Sequence, residues 1–448
     1  MAEVLIVGGG WAGCAAALAA AKAGGSVTLL EKTDCLLGTG LVGGIMRNNG
    51  RFTAAEEMIA LGAGELFAAT DKVARHTNVE FPGHKHASLY DVALIEPVVR
   101  ALLLEHGVNI RLRTRFTDVQ LSNSRLQAVT AKAMMFSERG VGTVDQTFEA
   151  DVFVDATGTA GPQGNCKKYG NGCAMCVLRC PTFGPRVSVA EKAGVKEMIG
   201  GTAAGTLGAM SGSCKLLKES LSPELVRKLD EEGVVVVPIP RGLQKKEALS
   251  SKACQQYALR EFAENVILLD TGHAKLMTPY FPLEALRQIP GFENARYEDP
   301  YAGGIGNSIR YLAISPRDKH LKVSGLDNLF CAGEKAGPLV GHTEAIVTGT
   351  LAGHNAVRYA LGMPLLELPG SLAVGDAIAY VGESMKSEEG LRQKYTFSGA
   401  VYFERMKQLG LYTTNRDEIQ RRVRRAGLEG VFSRVLTTAE EEVAASKE

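Results

Sequence analysis

The run EVLIVGGGWAGCAAALAAAKAGGSVTLLEK, residues 3–32, constrains the fold most. A short apolar strand, Val4 to Val7, meets three consecutive glycines. An alanine-rich helix follows from about Trp11 to Ala23, then a Gly-Gly break, then a second strand, Val27 to Leu30, that ends on Glu31. Apolar strand, tight turn, helix and apolar strand in that order predict a βαβ unit with parallel strands. The glycines fall as Gly8-x-Gly10-x-x-Gly13 where strand turns into helix. The first permits the turn, the second lets backbone approach a pyrophosphate, and the third lets helix pack on strand, with the helix amino terminus facing the anion. Glu31 stands where a carboxylate accepts hydrogen bonds from ribose hydroxyls. The glycines alone would also suit a plain βα turn; the strand, helix, strand and acid together predict dinucleotide binding.

The remainder reads as two further units. VNIRLRTRFTDVQL and RLQAVTAKAMMF alternate like antiparallel strands, and FEADVFVDATGTAGP returns to a buried strand with a glycine turn. From about Pro162 to Pro300 the sequence is polar and helix-rich, with VVVVPIP in the middle. LKVSGLDNLFCAGE then reads as a last strand of the first unit, followed by the helical pattern EAIVTGTLAGHNAVRYALG. The expected architecture is α/β: a Rossmann-like FAD-type domain, parallel sheet with a β-meander crossover, over residues 1–161 and 301–362. An inserted α+β substrate domain covers 162–300, and a charged helical tail covers 363–448.

A chain of 448 residues supports this many compact units. Hydrophobic residues at 45% and charged residues at 22% exclude a disordered or fibrous class. No apolar run has the length of a membrane span, and the chain opens on a strand rather than a signal peptide, so the expected compartment is the cytoplasm, with no membrane partner. A net charge of +1 provides no global field for nucleic acid, although the run RRVRR at 421–425 (Arg421, Arg422, Arg424, Arg425) is a local basic stretch. Such a run is either a solvated helix face or a phosphate-contacting surface.

In a reducing compartment the nine cysteines point to metal, redox chemistry or packing rather than structural disulfides. Cys173-x-x-Cys176-x-x-x-Cys180-Pro181 has the spacing of the last three ligands of a bacterial ferredoxin run, with Gly170 where the first would stand. Cys166 is the nearest candidate for a fourth thiolate of a [4Fe–4S] cluster; Cys214 and Cys254 lie farther off. A redox dithiol at Cys173 and Cys176, structural zinc, or buried thiols without function are the competing readings.

VDATG at 154–158 and LFCAGE at 329–334 resemble the second and third fingerprints of two-dinucleotide-binding-fold flavoproteins, and that resemblance makes the dinucleotide FAD. IPGFENARY, GGIGNSIRYLAISPRD and GLDNLFCAGEKAGPLVGHTEAIVTGTLAGHNAVRYALG, spanning about 289–362, are similar to the end of the FAD domain in two families. These are the GidA-type tRNA-modifying flavoproteins and the folate- and FAD-dependent tRNA-uridine methyltransferases. The resemblance implies FAD contacts from Gly8, Gly10, Gly13, Glu31, Lys32, Thr39, Ala156, Thr157, Gly158, Gly333, Glu334, Gly341, His342 and Thr343. It implies that Gly341 to Glu344 start a helix beneath the flavin pyrimidine, where a helix amino terminus stabilises negative charge on the reduced ring. His342, Glu344 and Arg310 are the catalytic candidates; His342 and Glu344 read equally as cap residues.

The loop LLGTGLVGGIMRNN, 36–49, has no cysteine where the methyltransferase family carries one, and it reads more like the loop of broad FAD-dependent oxidoreductases. No second strand-linked GxGxxG appears. GTAAGTLGAMSG at 201–212 is glycine-rich, but helix-like sequence precedes it. A separate NAD(P)H domain is therefore not expected, and another donor or acceptor is needed.

The leading expectation is an FAD-dependent oxidoreductase that passes electrons between flavin, a small-molecule substrate or redox partner protein, and the cysteine centre. The alternatives are an RNA-modifying flavoprotein acting on tRNA or rRNA uridine and a non-catalytic electron-transfer subunit. A homo-oligomer is expected in each case.

Overall fold

The computed structural model describes residues 1–137, 140–158, 183–201, 209–211, 214–251, 255–277, 281–298, 308–310 and 312–437. Its centre is a five-stranded parallel sheet, ordered Leu329–Cys331, Val152–Asp155, Glu3–Val7, Ser26–Leu30, Asn109–Arg111. Ile6 lies opposite both Val154 and Leu29. Both faces of this sheet are covered, so its inner strands are unbroken apolar runs.

Helix Trp11–Lys22 is buried from Trp11 through Ala20 and has no polar face. The reason is the helix His342–Ala360 packed along it. A Cβ on Gly349 would stand 2.1 Å from the Ala12 carbonyl oxygen, and one on Gly353 2.1 Å from that of Ala16. Alanine on one helix and glycine on the other set the close approach of the two backbones.

The expected meander is present, ahead of the VDATG strand: Thr114–Ser122, Arg125–Ser137 and Gly140–Glu149 pair antiparallel. The segment VNIRLRTRFTDVQL divides, however. Asn109–Arg111 joins the parallel sheet, and only the part from Thr114 belongs to the meander. Buried Asn328 fastens the two layers together. Its amide donates to the carbonyls of Leu126 (2.9 Å) and Asp151 (2.8 Å) and accepts from Leu126 N at 2.9 Å.

Within 183–298 the described residues are organised around a sheet rather than around helices. Cys214–Leu216, Ala274–Leu276, Asn265–Asp270 and Val234–Pro238 form an antiparallel sheet in that order. VVVV is thus an edge strand. Helix Pro223–Glu232 covers it, capped by Ser222 and stopped by Gly233 at φ 76°. Ile45, Phe81 and Leu89 share a core with Ile267, Leu269 and Met277. The small sheet Ile45–Met46, His84–Tyr90, Ala74–Phe81 therefore packs on this second unit although it precedes it by far in sequence.

The tail helices Ala373–Ser384, Ala400–Gln408 and Arg416–Arg425 fold back onto helix Gly50–Ala60. Tyr402, Ile419 and Val423 are buried in that contact. No helix among the described residues is long and apolar enough to cross a membrane.

Candidate cofactor and active site

The glycine turn is shaped for close backbone approach. Gly8 sits at φ 106°, and a Cβ there would stand 2.4 Å from the Ala156 carbonyl oxygen. A Cβ on Gly13 would stand 1.8 Å from the Gly8 carbonyl oxygen. Gly10 differs: nothing lies within 4 Å of a Cβ placed there, so the start of helix Trp11–Lys22 opens onto empty space. That space is what an approaching pyrophosphate requires.

Glu31 is buried, and its carboxylate is held from two sides. Oε2 accepts from Gly9 N at 2.8 Å; Oε1 accepts from Thr33 N at 2.8 Å and Thr33 Oγ1 at 2.9 Å. Asp155 does the corresponding work for the second fingerprint. Its Oδ1 accepts from Thr157 N (3.1 Å) and Oγ1 (2.6 Å), and its Oδ2 from Ala190 N (3.0 Å). Asp155 is fully buried. It fixes the backbone of the ATG turn from behind.

One cleft unites most of the residues predicted to contact a dinucleotide. Gly8, Gly10, Glu31, Lys32, Ala156, Thr157, Gly158 and Glu334 line it, together with Gly38, Thr114, Arg115 and Arg186. Lys32 also donates to the Gly184 carbonyl at 2.9 Å. Arg115 and Arg186 carry no sequence signal of this role: one is an alternating meander residue, and the other lies in the second unit. Gly13 and Gly333 lie behind the cleft in helix packing, with Gly333 N donating to Thr348 Oγ1 at 2.9 Å. Thr39 lies in the turn Gly38–Val42.

At the other end, Gly341 precedes helix His342–Ala360 at φ 146°. His342 is the first helical residue, and Thr343 is buried behind it. The His342 Nδ1 is 3.1 Å from the Tyr90 hydroxyl, and its ring centroid is 5.7 Å from that of Trp11. A Cβ on Gly43 would stand 1.6 Å from His342 Cε1, so the imidazole lies directly against the 38–46 loop. Lys275, from the second unit, donates to the Gly43 carbonyl.

Glu344 points into a different set of partners. It pairs with Arg51 Nε at 3.1 Å and accepts from Thr396 Oγ1 (2.7 Å) and Phe397 N (2.8 Å). Arg51 in turn reaches the Val340 carbonyl at 3.2 Å. Both charged groups are buried, and removing one would leave the other uncompensated. Arg310 ends the strand Ser308–Arg310, which pairs with Ala209–Ser211.

Cys166, Cys173, Cys176 and Cys180 lie outside the described residues. Among the described residues no group of three or more His, Cys, Asp or Glu side chains could hold a metal. Cys14 and Cys331 are buried; burial pushes the Cys331 thiol up to about 12, which leaves it inert at neutral pH.

The turn, the anchored carboxylate and the open space beside Gly10 fit FAD. Comparison with known proteins agrees. Residues 3–161 match the family model described as FAD dependent oxidoreductase, and residues 272–364 match that of Glucose inhibited division protein A. The tRNA uridine 5-carboxymethylaminomethyl modification enzyme MnmG of Thermus thermophilus is 30% identical over 152 residues, 34% of this chain and 21% of that protein. The methylenetetrahydrofolate–tRNA-(uracil-5-)-methyltransferase TrmFO of Caldicellulosiruptor bescii is 33% identical over 112 residues, 24% of each chain. The matches thus span about a fifth to a quarter of these relatives' length. In three dimensions, GidA of Aquifex aeolicus shares the fold, with a TM-score of 0.63 at 16% identity over 100% of this chain and 75% of that one. Over residues 3–161 the chain is similar to FAD-dependent oxidoreductases, and over residues 272–364 to the Glucose inhibited division protein A family.

Proposed function

We propose that the protein is an FAD-dependent enzyme that modifies uridine in RNA, with tRNA as the substrate class. The observation that carries the cofactor half is the cleft at Gly8, Gly10 and Glu31, which leads from an anchored carboxylate past an open helix amino terminus. The substrate half rests on the likeness of residues 272–364 to the Glucose inhibited division protein A model and on the tRNA-uridine-modifying activities of the relatives. FAD, when bound, supplies hydride or electron-pair exchange.

The chain's residues would divide the work. Glu31 accepts the ribose hydroxyls, and the amides after Gly10 face the pyrophosphate. Lys32, Ala156, Thr157, Gly158 and Glu334 would shape the walls of the cleft, with Gly333 packed behind it and Thr39 in the neighbouring Gly38–Val42 turn. The first turn at Gly341, His342 and Thr343 faces the flavin pyrimidine. Glu344 acts as a positioning residue through Arg51, and Arg310 belongs to the strand from which substrate contacts would come. The second unit, 162–300, would carry the substrate pocket.

The test is nucleoside analysis of unmodified tRNA incubated with reduced, FAD-loaded protein and a one-carbon folate donor. A uridine of increased mass supports the reading. Unaltered tRNA, together with no tRNA retention in gel shifts, overturns it.

A second reading rests on the spacing of Cys173, Cys176 and Cys180, with Cys166 completing the set: a [4Fe–4S] cluster exchanging electrons with the flavin. It requires about four irons per chain in anaerobically purified protein, lost in each single Cys→Ser variant of the four. Absence of iron removes it, and about one zinc per chain would make the site structural.

A further inference from the structure

Three separate elements converge to orient one imidazole. Trp11 begins the first helix, Tyr90 ends strand His84–Tyr90, and Gly43 belongs to the intervening loop; each is in contact with the His342 ring. Tyr90 is fully buried, and burial holds its hydroxyl well above the usual phenol range, so it keeps its proton at neutral pH. Trp11 Nε1 faces the same hydroxyl without reaching hydrogen-bond geometry, and an indole can only donate. The Tyr90 proton is therefore left to the acceptor 3.1 Å away, His342 Nδ1. A ring nitrogen that accepts is unprotonated, and the other nitrogen then carries the hydrogen.

The surroundings favour the same state. His342 opens a 19-residue helix, where the backbone dipole opposes an imidazolium. Charged groups packed around it among the described residues include Arg51 paired with Glu344, Lys275 on the Gly43 carbonyl, and Asp91 beside Tyr90, which pairs with Arg75. Both carboxylates are thus engaged by guanidinium groups.

We propose that Tyr90 is a positioning residue that fixes His342 as the neutral Nε2–H tautomer, so that His342 presents a hydrogen-bond donor to the pyrimidine edge of FAD. The inference rests on the FAD reading and deepens it.

The experiment uses the full FAD-loaded chain as wild type, Tyr90→Phe and His342→Gln, with the flavin midpoint potential followed spectroelectrochemically between about pH 5.5 and pH 9, a range that brackets histidine ionisation. FAD content and circular dichroism establish that each variant is folded and loaded. The wild-type potential should show an inflection where His342 gains its proton. Loss of one neutral hydrogen bond in Tyr90→Phe should move that inflection upward by roughly half to one pH unit. His342→Gln should abolish it. Coincident profiles for wild type and Tyr90→Phe, or an inflection that survives in His342→Gln, would overturn the proposal. If Tyr90→Phe does not fold, the imidazole nitrogen NMR shifts of His342 in the wild type decide: a proton on Nε2 supports the proposal and a proton on Nδ1 overturns it. Failure of the wild type to take up FAD is a separate result, visible before any potential is measured, and overturns the cofactor reading itself.

Discussion

Arg422, in the tail helix Arg416–Arg425, pairs with Glu57, in helix Gly50–Ala60, at 3.4 Å between Nη1 and Oε1. Glu57 is fully buried and also accepts from Ala373 N and Val374 N at 3.0 Å each, so one carboxylate joins two tail helices to the cofactor domain.

That carboxylate predicts a pH dependence. Burial pushes Glu57 up to about 7, against the pull of the two amides and Arg422. A carboxyl whose folded-state value is raised contributes stability that is fully present below its unfolded value and is lost as pH rises through the folded one. Wild-type protein should therefore lose stability between about pH 4.5 and pH 7 relative to Glu57→Gln, by on the order of 3 kcal/mol at most. Urea unfolding at several pH values checks this. Parallel profiles for the two proteins would refute it.

The two glycines of the turn should behave differently. A side chain at Gly10 meets nothing within 4 Å, and its φ of −69° suits any residue. Gly10→Val should fold with wild-type stability yet bind no FAD. Gly13→Val would drive a side chain into the Gly8 carbonyl and should cost several kcal/mol, on the order of the largest single-residue effects, with loss of soluble protein. Yellow Gly10→Val protein with full flavin content would contradict the site.

The basic run is two kinds of residue. Arg422 is engaged by Glu57, Glu418 and the Leu411 carbonyl, and Arg424 pairs with Glu429 at 2.9 Å, whereas Arg421 and Arg425 are exposed. Arg422 therefore fits neither a solvated face nor a phosphate-contacting one, and Arg422→Ala would loosen the tail. The triple change Arg421→Ala, Arg424→Ala, Arg425→Ala should instead weaken tRNA retention and flatten its salt dependence by roughly two to three in log–log slope. Unchanged retention and slope in filter binding would exclude this helix as an RNA surface.

Asn328 offers a test of the fold itself. Asn328→Ala removes its three hydrogen bonds to Leu126 and Asp151, the Leu126 pair being buried, and leaves the Asp151 carbonyl with Arg125 Nη2 at 3.2 Å. A loss of roughly 2–4 kcal/mol is expected by chemical denaturation. A loss under about 0.5 kcal/mol, the scale of a surface change, would mean that the meander is not fastened there.

The parallel sheet was legible because its signals are local: VLIV, the glycine spacing and Glu31 lie within one unit of chain. The cleft was legible for the same reason at VDATG and CAGE. What the sequence hid depends on distant partners. His84–Tyr90 carries charged and polar residues, and its apolar face is matched by residues far along the chain, among them Phe262, Ile267, Leu269 and Met277. Nothing near Arg51 announces Glu344, 293 positions away, and Arg422 has the pattern of a solvated helix face until Glu57 is placed against it. Within 183–298 the helix-rich reading missed the short strands Cys214–Leu216 and Ala274–Leu276, where Lys215 lies opposite Lys275, a pattern that single-sequence periodicity does not distinguish from loop.

The most direct test of the account is the absorption spectrum and flavin content of the purified full chain. The site at Gly8, Gly10, Glu31 and Thr157 predicts one FAD per chain, released by denaturation and restored to apoprotein on addition of FAD but not of FMN, which lacks the adenosine that Glu31 would hold. Colourless protein that takes up neither, or equal uptake of FMN, would contradict it.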